Sequence, residues 1–106
     1  TAGVVRWLNQ RATGRDPYRV DVMPAAAALG ARPVFFIQAL EDNRFSPGQA
    51  RELWKAAGAK DPLWLIPGAG HNEGWVLHRA VYEQRVRAFF DLHLLGKGPG
   101  LPAGPL

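Results

Sequence analysis

Two short apolar runs, Val34-Phe35-Phe36-Ile37 and Leu63-Trp64-Leu65-Ile66, constrain the fold of this chain more than any other feature. Each is continuous rather than alternating and rich in β-branched, aromatic or aliphatic residues. That is the pattern of a strand covered on both faces, as in a parallel sheet. Pro33 opens the first run and Pro62 precedes the second, positions where a missing N–H is tolerated. Between them the spacing predicts a helix. Ser46 is an N-cap, Pro47 takes the first helical position and Gln49 completes a capping box. Ala50, Leu53, Trp54 and Ala57 share one face, and Gly58 supplies the left-handed stop. Strand, helix and strand form a βαβ unit, whose crossover is right-handed in about 98% of cases.

The flanks are less regular. Residues 1–30 read as a helical lead-in: Val4, Val5, Trp7 and Leu8 make an apolar patch, and Thr13-Gly14-Arg15-Asp16-Pro17 breaks the chain. Asp21 caps a helix over 23–29 that Gly30 stops. A closing helix is expected from position 75 or 79 to 95, with Tyr82, Val86, Phe89, Phe90 and His93 near one face and Gly96 at its end. Trp54, Trp64 and Trp75 are expected in the core. Residues 97–106, mostly Gly and Pro, carry no pattern that packs and are expected to be disordered. The chain thus divides into 1–30, 31–96 and 97–106. Two parallel strands alone are a poor domain, so the expected fold class is α/β, the β-α-β-α edge of a larger doubly wound parallel sheet.

Composition narrows the function classes. With 13 Lys and Arg against 9 Asp and Glu the net charge is +4, yet the arginines are scattered and not interleaved with aromatics, so nucleic acid is not an expected partner. No apolar run approaches the roughly 18 residues of a membrane span. No signal peptide is visible at the N-terminus. The cytoplasm is the expected compartment, with no membrane partner. The absence of cysteine removes disulfides, thiolate metal sites and a cysteine nucleophile. No His-Glu-x-x-His motif is present, and His71-Asn72-Glu73 lacks the Cys-x-x-Cys that a zinc deaminase needs, so neither metal nor cofactor is expected. Met23 is the sole methionine, which suggests a trimmed initiator or a piece of a longer protein.

In open α/β sheets functional groups gather beyond the carboxyl ends of the strands. Asp42 follows the first run in Ala39-Leu40-Glu41-Asp42-Asn43-Arg44-Phe45, and His71 follows the second in Pro67-Gly68-Ala69-Gly70-His71. Neighbouring strands bring both to one sheet edge. A carboxylate there accepts the imidazole Nδ1–H, fixes the tautomer and leaves Nε2 as a general base. Taken singly, Asp42 reads as a loop carboxylate bonding its own backbone and His71 as a surface histidine; the paired placement favours chemistry. Ser46, the sole serine, reads as a helix cap rather than a nucleophile. Thr1 would need an N-terminal-nucleophile fold of packed antiparallel strands that the pattern does not predict. His78 and His93 read as helix residues.

From about Arg32 to His93 the chain resembles the C-terminal portion of the α/β-hydrolase superfamily, of the esterase or prolyl-oligopeptidase-like kind. The segment from Arg32 through the Leu40-Glu41-Asp42-Asn43-Arg44-Phe45-Ser46-Pro47 turn is similar to that family's acid strand and loop. Trp64-Leu65-Ile66-Pro67-Gly68-Ala69-Gly70-His71 is similar to its histidine loop, and Tyr82-Glu83-Gln84-Arg85-Val86-Arg87-Ala88-Phe89-Phe90 to its closing helix. The resemblance implies Asp42 as triad acid, with Glu41 the less favoured alternative, and His71 as triad base. It implies a partial α/β-hydrolase fold, with residues 1–30 as the cap-to-core segment. Where the family usually carries His-Gly this chain has Gln38-Ala39, expected to be a mild change in a turn. The Gly-x-Ser-x-Gly nucleophile turn is not present. The expectation is therefore a C-terminal fragment of a serine hydrolase acting on small-molecule esters or amides, supplying acid and base. The alternative is a non-catalytic module that self-associates or docks to a complementary N-terminal chain through its open sheet.

Overall fold

The computed structural model describes residues 2–15 and 21–102. Thr1, the Asp16-Pro17 half of the expected break and residues 103–106 of the expected tail lie outside the described residues. The elements run α1 (Ala2–Thr13), α2 (Val22–Ala27), β1 (Ile37–Ala39), α3 (Pro47–Ala56), β2 (Trp64–Ile66), α4 (Gly74–Leu77) and α5 (Arg79–Leu95). Mixed helix around a small two-stranded parallel sheet is the architecture.

The strands pair with Ile37 opposite Trp64, Gln38 opposite Leu65 and Ala39 opposite Ile66. The ladder starts later than the apolar pattern suggested. Residues 34–36 are half-buried and precede the ladder, and the strand runs on through Gln38 and Ala39. Proline explains the shift. Trp64 donates to the Phe36 carbonyl at 3.0 Å, and the next pair upstream, Phe35 opposite residue 62, would need an N–H donated to the Val34 carbonyl by Pro62, which has none. Neither run is buried throughout, because two strands leave faces and edges uncovered.

Packing is concentrated on one sheet face. Trp64, Ile66 and Ala69 are buried and carry Phe35, Ile37, Ala39, Val81 and Tyr82 against them. The Phe35 and Trp64 rings stack at 6.3 Å, and Phe89 and Tyr82 of α5 close on them at 5.7 Å each. The inward face of α5 is therefore Val81, Tyr82, Arg85 and Phe89, whereas Phe90 is half-exposed, unlike the expected face. Trp75 is also exposed rather than in the core.

The crossover helix follows its sequence signals closely. Ser46 Oγ accepts from Gln49 N at 3.1 Å, Gln49 Oε1 accepts from Ser46 N at 2.9 Å, and Ala50 and Ala57 are buried. Asp21 caps α2 by accepting from Met23 N. Every side chain of α1 from Gly3 to Thr13 is exposed. In the described part of the tail Gly100 is buried, and a Cβ there would lie 2.6 Å from Leu92 Cδ2. Only glycine allows so close an approach to α5. Among the described residues no helix is long and apolar enough to cross a membrane.

Candidate active site: an aspartate–histidine pair

Two loops leave the carboxyl ends of the paired strands, and backbone bonds tie them together. Leu40 N donates to Ile66 O and Glu41 N to Ala69 O, both at 2.9 Å. Gln38 anchors the first loop from below. Its buried amide Nε2 donates to Phe45 O at 2.7 Å and to Ala39 O at 2.9 Å, spanning the loop that carries Asp42. This residue sits in β1, not in a turn, and its clamp was not foreseen. The only signal was a lone amide ending an apolar run.

The second loop is shaped by its glycines and by Glu73. Gly68 has φ +71°, where other residues are strained, and Asn72 takes φ +63°, which its short polar side chain tolerates. Glu73 Oε2 accepts from Gly70 N at 2.9 Å, and Glu73 N donates to Gly70 O at 3.1 Å, bracketing His71 on both sides. His78, at the break between α4 and α5, donates from Nε2 to Pro67 O at 3.2 Å.

His71 and Asp42 meet at this edge, Nδ1 to Oδ2, at 2.9 Å. The second aspartate oxygen is bound locally: Oδ1 accepts from Arg44 N at 2.8 Å and from Phe45 N at 3.1 Å. Local capping and long-range pairing thus coexist on one carboxylate. The bond from His71, followed by those backbone donors, lowers the Asp42 pKa from 3.8 to about 2 against the opposing cost of desolvation. At neutral pH Asp42 is ionised and only accepts, so Nδ1 is the donor and, in the neutral ring, Nε2 carries the lone pair. The Asp42 side chain is 8% exposed and that of His71 is 38% exposed, so the carboxylate is sheltered while the imidazole reaches solvent.

The pair opens on a cleft of about 420 Å³ whose walls include Ile37, Phe45, Ile66, Trp75 and Tyr82. A base with a fixed tautomer on an apolar wall can take and return a proton next to a bound apolar group. Glu41 joins this network through its backbone N–H, and Ser46 Oγ is committed to the α3 cap. Among the described residues no group of three His, Cys, Asp or Glu could hold a metal ion.

A second pair was also missed: His93 Nε2 and Asp61 Oδ2 lie 3.0 Å apart, joining the end of α5 to the loop before β2. Their separation of 32 positions gave no local signal. Comparison of the chain with protein-family models, with curated proteins and with solved structures finds no match.

Proposed function

We propose that Asp42 and His71 are the acid and base of a serine-hydrolase triad, carried by the C-terminal part of an α/β-hydrolase fold and acting on ester or amide bonds. The single observation that carries this reading is the 2.9 Å bond from Nδ1 to Oδ2 at the carboxyl ends of two adjacent parallel strands. In the reaction a serine oxygen attacks the carbonyl carbon while His71 Nε2 takes the hydroxyl proton. The tetrahedral intermediate collapses as Nε2 returns that proton to the leaving oxygen or nitrogen, and water then repeats the sequence on the acyl-serine. Asp42 orients the ring and stabilises the imidazolium.

The nucleophile belongs, on this reading, to residues beyond this sequence, on a strand–Gly-x-Ser-x-Gly–helix turn. A fluorophosphonate probe tests it. The protein expressed from its complete coding region should be labelled on serine, and His71→Ala should abolish the labelling. The 106-residue chain alone should show no triad-type turnover of p-nitrophenyl esters, since losing the nucleophile removes nearly all of the rate advantage. A complete coding region without such a serine overturns the reading.

One observation favours a second, non-catalytic reading. Val4, Val5, Trp7 and Leu8 on α1 are each more than half exposed, an apolar surface suited to association. An interaction module built on that surface would work unchanged in Asp42→Asn, whereas the hydrolase would not.

A further inference from the structure

A cavity that shares no lining residue with the dyad cleft lies between α5 and the tail. It has a volume of about 520 Å³, and its walls include Val81, Arg85 and Ala88 of α5 with Pro99 and Leu101 of the tail. That size suits a small ligand, and the walls are apolar apart from Gln84 and Arg85. Arg85 is the anomaly. It is only 8% exposed, and no acceptor meets its guanidinium among the described residues. Among the described residues its partner is the face of Trp64, with Cζ 4.7 Å from the ring centre.

A guanidinium cannot shed its charge, and it carries five N–H donors. Cation–π contact offsets part of the electrostatic cost of burial but satisfies none of those donors. The indole beneath it has its Nε1 buried without an acceptor among the described residues. A nearly buried arginine with no acceptor among the described residues, on the wall of an otherwise apolar cavity, suits one kind of ligand: an oxyanion attached to an apolar body. The fork of Arg85 matches a carboxylate bidentately, and the net charge of +4 favours approach of an anion.

We propose that the α5–tail cavity is a binding site for a small amphipathic carboxylate, its head on Arg85 and its hydrocarbon part against Val81, Ala88 and Leu101. The site is separate from the Asp42–His71 cleft and does not depend on the hydrolase reading. Gly100 is what lets the tail close over it, since any side chain there would meet Leu92.

Calorimetric titration of the chain with octanoate, 1-octanol and inorganic phosphate, with amide chemical shifts followed in parallel, tests the proposal. Octanoate is expected to bind and to shift Gln84, Arg85 and Gly100. Octanol and phosphate are expected to bind about ten- to a hundredfold more weakly, the range of a charge-assisted bond or of its apolar counterpart. Arg85→Gln should lose octanoate affinity by the same factor. Because that change disturbs the Trp64 stack, Ala88→Phe serves as a second variant: it fills the cavity, leaves Arg85 in place and should also abolish binding. Equal affinity for octanoate and octanol, phosphate binding as tightly as octanoate, shifts confined to α1, or undiminished binding in Ala88→Phe would each overturn the proposal.

Discussion

A single carboxylate does two jobs in this molecule, and its titration reports both. Asp42 binds its own loop through Oδ1 and His71 through Oδ2, and its pKa is lowered from 3.8 to about 2 chiefly by the histidine. A lowered folded-state pKa stabilises the fold above the unfolded value. The contribution is therefore complete above about pH 4 and is lost as the pH falls through about 2. Carboxyl-carbon NMR should give a midpoint near 2 in the wild type, and in His71→Ala the midpoint should move back up toward 3.8. A wild-type midpoint at the ordinary value would contradict the bond. Gln38 carries a second expectation. Replacing it with Leu keeps the bulk but strips the donors from Phe45 O and Ala39 O, at a cost of about 1–3 kcal/mol in thermal or denaturant unfolding. Gln38→Glu should be worse, because a carboxylate would face two carbonyl oxygens. An unchanged melting temperature in Gln38→Leu would show that the clamp does not hold the loop. Asp42 and His71 were legible because each follows an apolar run at a turn. Gln38 and Glu73 were not, because their partners are backbone groups whose positions only the folded loops define.

At the scale of elements, local chemistry was the readable part and pairing was not. The α3 helix is specified by residues next to one another, Ser46, Pro47 and Gln49 at one end and Gly58 (φ +59°) at the other, and it forms as those residues dictate. Ser46→Ala should cost about 1 kcal/mol of stability by denaturant titration, and Ser46→Asp, which can still cap, much less. The strand bounds depended on a partner: the ladder begins at Ile37 because Pro62, in the other strand's approach, has no N–H to give. A tighter constraint joins β2 to α4. A Cβ on Gly74 would lie 2.7 Å from Ile66 Cδ1, and Ile66 is only 1% exposed, so its side chain has nowhere to go. Gly74→Ala should therefore destabilise by about 1–3 kcal/mol through overpacking. Ile66→Val, which removes the clashing methyl, should by itself cost about 0.5–1.5 kcal/mol. The double variant should be more stable than the sum of the two losses implies; additivity would place the strain elsewhere.

The molecule as a whole is open for its length. Its radius of gyration is 16.7 Å, against about 13 Å for a close-packed chain of this size. Among the described residues the buried apolar set is small, with Trp64, Ile66 and Phe89 its only large members, while Trp7, Trp75, Val76, Leu94 and Leu95 are all substantially exposed. Apolar surface that water must cover is surface that another chain can cover more favourably. The α1 helix is the extreme case, since none of its described side chains from Gly3 onward is buried and its three large aliphatic groups, Val4, Val5 and Leu8, all lie within one turn of Trp7. The wild-type chain should consequently self-associate as concentration rises, and its melting temperature should rise with it, because association stabilises whatever folded form associates. Leu8→Glu should shift the sedimentation profile toward monomer and remove the concentration dependence. Ala80→Glu, an equal change of charge on an exposed position of α5, should not. Both variants should keep the Asp42–His71 bond, visible as an unchanged Asp42 titration, since α1 contributes no residue to that cleft. A wild type that stays monomeric at every concentration, or a Leu8→Glu variant that associates as the wild type does, would move the sticky surface away from α1, to the Trp75–Val76 edge beside the cleft.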